Sequence, residues 1–376
     1  MIVTATHGVS LMSCLTEIDD PRKPSNGTLH DFREILVISI AAALSDCDTV
    51  EDIAYWARNK QAWLRRFLAL KNGVPSEDTF LRVFRALDPK RFETVFRHWV
   101  SGIVGALGGT VAIDGKTVRG SGTGGERAIH MVSAFATELG LVLGQEKVAD
   151  KSNEITAIPE LLEALYIQGL LVSIDAMGCQ KGIAQQILAQ GGDYLLMVKG
   201  NQPTLMAAIE AAFIDAGTKD VDRNRHAEKS HGRITGQMAS VLPAKGVVDL
   251  ADWPQCQTIG RIDSIRRVKD RVSDVEQRYY ISSRVLSADE LAAAARSHWG
   301  IENRLHWVLD VSFGEDASTV RKDHAPQNLS LLKKIVLNLL RTDTTQPAKA
   351  SLRIRRKAAA WDDEVRMRML GLQPVC

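Results

Sequence analysis

Cysteine is scarce in this chain of 376 residues. Its five copies, Cys14, Cys47, Cys179, Cys256 and Cys376, are scattered, and no two form a CxxC pair. That argues against structural zinc, and an odd, unpaired set fits a reducing cytoplasm. The longest apolar run, Ile35–Leu44, is too short to span a bilayer, so no membrane partner is expected. The opening residues lack a basic stretch followed by an apolar one, so no secretory signal is expected either. No internal repeat or low-complexity block stands out. A strong charge imbalance is also missing: the formal net charge is +2, which does not by itself announce nucleic acid.

What is present is ordinary globular composition, 45% apolar and 24% charged, in a chain long enough for two or three domains. The charge is unevenly spread. Between Arg58 and Arg97 ten basic residues, Arg82 and Arg85 among them, face four acids. Further basic runs are Arg261, Arg266, Arg267, Lys269, Arg271 and Arg353, Arg355, Arg356, Lys357. Such patches suit a phosphate backbone, although each is equally a solvated face.

Residues 1–30 read as loop, with a breaker cluster at Asp19–Gly27. Asp31 is expected to cap a helix through Ser45, and Asp48 or Thr49 a second one ending near Asn59. A third helix holds Trp63, Leu64, Phe67 and Leu68. Ser76 caps a helix through Leu87, and Asp88-Pro89 starts another, with Phe92, Val95, Phe96 and Trp99 on one face. This helical region is a candidate DNA-contacting module, with Arg82 and Arg85 on an exposed face.

At Gly108-Gly109 the texture changes. Thr110–Val118, Ile129–Thr137 and Leu141–Ala149 read as strands, with a hairpin at Glu138-Leu139-Gly140. A helix over 153–168, a buried strand Leu170–Ile174, a helix over 180–190 and a strand Tyr194–Val198 follow. Strands followed by alternating units predict an α/β fold: a mixed sheet with helices on both faces. Between Ala211 and Asp274 the alternation lapses into a β-rich insertion. Tyr279–Ser282 is again a strand, Ser287 caps the helix that carries His298 and Glu302, and Asn328–Leu340 is an apolar helix.

Arg296–Asp316 carries the densest chemistry. On a helical wheel Ile301, Leu305 and Val308 share an apolar face, and His298, Glu302, His306 and Asp310 form an adjacent polar stripe at i, i+4 steps. Asp114 and Asp175 each close an apolar strand-like run. The three acids Asp114, Asp175 and Glu302 are expected to meet and hold metal. Two divalent ions about 3.5–4 Å apart serve in-line phosphoryl transfer, and Mg²⁺ needs few carboxylates. His306 and Asp310 are candidates to orient Glu302 or water, or to pair with each other. Lys116, Arg119, Lys199, Asn201 and Gln202 follow strand ends and are candidates for phosphate or DNA-end contacts. Trp299 and Trp307 read as core or interface, and Met177 and Cys179 as packing residues.

The stretches GVPSEDTFLRVFRALDP, VAIDGKTVRGS, LVSIDAMGCQK, YLLMVKGNQP, HGRIT and HWGIENRLHWVLDVSFGED are spaced over most of the chain, from the helical N-terminal part to near the C-terminus. In these stretches it resembles insertion-sequence transposases of the ISAs1 family, within the IS4-like group. The resemblance implies an RNase H-like core with a DDE triad of Asp114, Asp175 and Glu302. It also implies a helical transposase-associated region at residues 1–105, core segments at 106–210 and 276–345 around a β-rich insertion at 211–275, and a basic tail at 346–376. It implies Mg²⁺, with Mn²⁺ substituting, and double-stranded DNA as partner, both terminal inverted repeats and target. A homodimer or larger synaptic assembly in a bacterial, nucleoid-associated cytoplasmic setting follows from the same likeness. The broader group carries Tyr, Arg and Lys where this chain has Ala295, His298 and Leu309, so His298 is the candidate for the DNA-phosphate contact of that Arg. Two rival readings are a transposase-derived DNA-binding protein without transposition and a metal-free hydrolase with paired carboxylates.

Overall fold

Residues 10–18 overturn the expected loop. Ser10 accepts a hydrogen bond from the Ser13 N–H and starts a short helix, α1 (Leu11–Cys14), which tightens into a 3-10 turn over Leu15–Glu17. Leu11, Cys14, Leu15 and Ile18 are buried in the main core, and that burial holds a segment too short to be helical alone. The structure is a computed structural model that describes residues 10–372 apart from 26–27, 105–107, 124, 126, 150–151, 218–220, 231–232 and 269–270. The first nine residues of the expected loop, Asn26-Gly27, His231-Gly232, Lys269, Cys376 and the 105/106 boundary lie outside the described residues.

The caps read from sequence start the next helices. The Asp31 carboxylate accepts from the N–H groups of Arg33 and Glu34 at α2 (Phe32–Leu44). Thr49 and Asp52 form a reciprocal capping box at α3 (Val50–Asn59). α4 (Gln61–Leu64) is shorter than expected, so Phe67 and Leu68 lie past its end. α5 (Glu77–Ala86) buries Phe80, Val83 and Phe84, and α6 (Pro89–Val104) buries Phe92, Val95, Phe96 and Trp99. Arg82 is exposed, but Arg85 is half-buried with its Nε shielded and unpaired, so the two do not share one open face.

The sheet begins with β1 (Thr110–Thr117), β2 (His130–Ala136) and β3 (Leu141–Lys147) in antiparallel succession. Gly140 takes φ +73° at the tip of the hairpin. Then come α7 (Glu154–Glu163), β4 (Leu171–Ile174), α8 (Lys181–Ala189), β5 (Asp193–Val198) and α9 (Pro203–Ala216). β4 lies parallel to β1 and β5 parallel to β4, giving the order β3-β2-β1-β4-β5. Three antiparallel strands followed by parallel crossovers make this an RNase H-like core.

The inserted strands are β6 (Asp222–Ser230), β7 (Arg233–Pro243), β8 (Thr258–Val268), β9 (Arg271–Val272) and β10 (Glu276–Ser282). They extend the same sheet: β10 pairs antiparallel with both β5 and β8, so ten strands form one sheet. Ser287 and Glu290 form a capping box at α10 (Ala288–Ile301), which passes through a π-helical turn, Glu302–His306, into α11 (Trp307–Phe313).

α12 (Ala325–Thr342) is buried over most of its length and serves both halves of the chain. Its Asn338 exchanges two hydrogen bonds with the Val142 backbone of the edge strand β3, at 2.9 and 2.8 Å. Its Asn328 donates to the carbonyls of Phe84 and Leu87, each at 2.9 Å, and so satisfies the end of α5. α13 (Leu352–Trp361) and α14 (Asp363–Leu370) end the described chain. The basic tail is not an open patch. Arg355 pairs with Asp343, Arg356 with Asp46 and Asp48, and buried Arg366 pairs with Asp363 and stacks over Trp63; Arg353 remains exposed. Among the described residues no helix is long and apolar enough to cross a membrane.

Asn328→Ala removes both donors from buried carbonyls. It should cost about 2–3 kcal/mol, read as a lower urea midpoint at unchanged m-value.

Candidate active site

The parallel register aligns Ile113 with Ile174, so the next residues, Asp114 and Asp175, stand side by side where β4 ends, while β1 runs on to Thr117. Open α/β sheets bind ligands at such ends. Asp114 accepts from the Gly115 N–H at 2.9 Å. Asp175 accepts from the N–H groups of Met177 and Gly178 at 3.0 and 3.3 Å, which fixes its carboxylate in an Asx turn. Asn201 and Gln202 lie across this turn and donate to the carbonyls of Ala176 and Cys179 at 2.7 and 2.9 Å. They brace the Asp175 loop through their side chains. Lys199 is exposed and close enough to Asp175 to favour its charged form.

Glu302 arrives from the other direction, on the π turn. The Trp307 N–H reaches back five residues to the Glu302 carbonyl instead of four. Such widened turns occur often at functional sites. Ile301, Leu305 and Val308 are buried, as the apolar face requires. His306 is buried with its Nδ1 2.9 Å from Glu302 Oε2 and 3.7 Å from Asp114 Oδ2. Ligand atoms of Asp114, Glu302 and His306 all lie within 4.8 Å of one another.

The electrostatics of this end of the sheet suit a cation. Burial pushes the Asp114 carboxyl up to about 7; the Gly115 N–H opposes the rise, and the charges of Asp175, Glu154 and Glu302 add to it. Asp175 is also raised, by burial and then by Glu154. Among the described residues no Lys or Arg forms an ion pair with Asp114. Burial lowers His306, with the Glu302 carboxylate opposing the shift, and its Nε2 is buried without a hydrogen bond. Carboxylate oxygens suit a hard divalent cation, and the imidazole is placed beside them.

The polar stripe divides into separate tasks. His298 is buried, 3.1 Å from the Ser173 hydroxyl, and desolvation pushes it down to about 4, so it is neutral. Ala295, His298 and Leu309 all face inward, so none offers the DNA contact of the broader group's Tyr, Arg and Lys. Asp310 does not pair with His306. It lies 2.7 Å from Lys116, whose ammonium is also 3.0 Å from both Glu315 and Asp316. Lys116 is therefore engaged inside the protein and not presented to a phosphate. Arg119 is exposed, with Asp316 3.5 Å away. Arg266 and Arg267 are exposed on β8. Trp299 and Trp307 are solvent-facing, at 43% and 56% exposure, so neither is core. Cys179 is buried as a packing residue, but Met177 is exposed.

One acid escaped the sequence reading. Glu154 opens α7, and its Oε1 lies 2.7 Å from His130 Nε2, beside Gly115. Only its place after the cap Asn153 could have drawn attention to it.

The RNase H-like core thus brings together an acid on β1, a second just past β4 and a third on a covering helix. The model described as Transposase DDE domain matches residues 106–339, and the one described as DDE_Tnp_1-associated matches residues 12–100. The chain belongs to the DDE transposase family. It is 41% identical to YncI of Escherichia coli O157:H7, provisionally named a transposase, over 88% of this chain and 87% of that one. It is 38% identical to the H repeat-associated YhhI of Escherichia coli K12, also provisionally named a transposase, over 89% and 90% of the two chains. A solved piggyBac transposase synaptic complex with hairpin DNA aligns over 97% of this chain and 82% of that one, at 9% identity and a TM-score of 0.47, too slight a likeness to argue from.

Two outcomes follow. The unfolded Asp114 carboxyl ionises near its ordinary value and the folded one at about 7. Between those values the folded state holds the extra proton, so stability falls as pH rises. Asp114→Asn should therefore stabilise the metal-free protein by roughly 4 kcal/mol above pH 7 and lose that advantage near pH 4, as read by thermal melts. Lys116→Ala removes the ion-pair partner of buried Glu315, leaving it the more distant charges of Lys334 and Lys333, and should cost about 3 kcal/mol in urea denaturation.

Proposed function

We propose that this chain cuts DNA strands at the ends of an insertion sequence and joins them to target DNA, in a reaction that requires divalent metal. The convergence of Asp114, Asp175 and Glu302 at one end of the sheet carries the reading. Bound there, two Mg²⁺ ions, or Mn²⁺, would supply an activated water and neutralise charge at the phosphate under attack. In this reading Asp114, on which the charges of both Asp175 and Glu302 act, would serve both ions. The Asx turn fixes Asp175, and His306 holds the Glu302 carboxylate, so neither acid must reorganise to bind. The bond broken first is a phosphodiester at the element's end. The freed 3′-hydroxyl then attacks a phosphodiester of the target.

Double-stranded DNA, as terminal inverted repeats and target, is the partner in this reading. Exposed Arg82, Arg119, Lys199, Arg266 and Arg267 supply backbone contacts, with half-buried Arg85 a weaker candidate. Joining two ends calls for a homodimer or a larger synaptic assembly. Membership of the ISAs1 branch and a bacterial cytoplasmic, nucleoid-associated setting belong to the same proposal, supported by the quoted motifs and by relatives from Escherichia coli.

The test is strand cleavage of labelled element-end DNA with Mg²⁺, Mn²⁺ or EDTA. Glu302→Gln and Asp175→Ala should abolish cleavage, with a loss of at least a thousandfold, and leave DNA binding within about twofold. Metal-dependent cleavage surviving in either variant overturns the assignment.

A further inference from the structure

Around Asp114 the acids sort into two groups. Glu302 and His306 approach it from the π turn. Asp175 does not share that cluster, and the charge acting on it most strongly is that of Glu154.

Glu154 is held in place by three features. It is the first residue of α7, capped by Asn153, where the helix dipole favours a carboxylate. His130 Nε2 lies 2.7 Å from its Oε1, and His130 Nδ1 lies 2.8 Å from the Thr117 hydroxyl. A carboxylate only accepts, so the imidazole donates through Nε2–H. Thr117 and His130 are paired across β1 and β2, so the sheet sets the ring's position.

The third feature is Gly115, directly after Asp114. A β-carbon there would lie 2.2 Å from Glu154 Oε1 and 2.4 Å from His130 Nε2. Any other residue would push the pair away, so the strand is left bare where the Glu154–His130 pair must pack. A surface ion pair needs no such opening in a strand. Glu154 Oε2 makes no hydrogen bond among the described residues and remains available to a ligand.

We propose that Glu154, positioned by His130, is a fourth carboxylate of the metal site and holds the ion on the Asp175 side through that ion's water, while Glu302 and His306 serve the other side. This rests on the metal-dependent reading above. Mg²⁺ keeps several of its waters, and a carboxylate accepting from one fixes the ion's position without a further direct ligand.

The test is Mn²⁺ titration of the full chain by electron paramagnetic resonance, without DNA. Wild type should bind two ions. Glu154→Gln should weaken one of them about 10- to 100-fold, as loss of an outer partner does. His130→Gln should weaken the same ion, and it carries the test if Glu154→Gln does not fold. Glu302→Gln should weaken the other ion. Glu160→Gln, an exposed acid of the same helix paired with Lys90, should change nothing. The Mn²⁺ concentration for half-maximal cleavage should rise at least tenfold in Glu154→Gln, with DNA binding unaltered. Unchanged Mn²⁺ binding in both Glu154→Gln and His130→Gln overturns this inference alone, as does loss of the same ion in Glu154→Gln and Glu302→Gln. Failure of wild type to bind Mn²⁺ overturns the metal reading and this inference with it.

Discussion

Two residues past Asp114, the Lys116 side chain leaves β1 and ends among Asp310, Glu315 and Asp316. Burial works against its charge, yet the three carboxylates hold it well above the ordinary lysine range. Glu315 is buried too, and its other oxygen accepts from the Ser330 hydroxyl of α12 at 2.9 Å. Ser330 in turn accepts from Lys334, which also reaches Gln145 of β3. One chain of polar contacts thus ties the Asp114 strand to the exit of the Glu302 helix and to the central helix. Buried charges of this kind contribute little net stability against an apolar packing, but breaking one is expensive. What they fix is register: β1 cannot slide by a residue without turning Lys116 to the other face.

The π turn is the second consequence of that clasp. A regular helix from Ala288 to Phe313 would rotate its C-terminal half relative to the sheet. The extra residue in the turn lets His298 meet Ser173, Glu302 and His306 meet Asp114, and Asp310 meet Lys116 along one line across β4 and β1. A π turn costs hydrogen-bond geometry. It persists because groups on both sides of it are pinned, by apolar burial of Ile301 and Leu305 and by the lysine.

Much of this was legible from the residues. The caps Asp31, Thr49 and Ser287 start their helices because a short polar side chain before an apolar periodic run has few other uses. Asp114 and Asp175 were visible as acids closing apolar, β-branched runs, although β1 continues past Asp114 to Thr117. What stayed hidden was long-range. The pairing of β10 with β5 joins residues about 80 positions apart, and no local pattern encodes it. The helical period at Arg296–Asp316 was right as far as Ile301, but a five-residue turn is a tertiary effect with no signature in the wheel. Lys116 looked like a phosphate contact because its partners lie about 200 residues later in the chain. α9, α1 and Glu154 were missed for related reasons: short or locally unremarkable segments gain meaning only from what packs on them.

The change of texture at Gly108-Gly109 marks a boundary of composition, and the packing does not respect it. Phe80, Phe84 and Phe92 from the helical region share one apolar core with Val111, Ile113 and Phe135 of the sheet and with Leu331 and Ile335 of α12. Asn328 closes the end of α5, Asn338 closes the edge of β3, and both lie on the same buried helix. Arg356 adds a clasp from the far end of the chain, reaching the Ala43 carbonyl and Asp48 in the helical region and the Ser312 carbonyl just past the Glu302 turn. Separating the helical region from the core would expose α12 on one side and leave these donors and acceptors unpaired in the gap. The acids therefore sit on a frame whose rigidity comes from both ends of the sequence, which is what carboxylates placed to within a fraction of an ångström require.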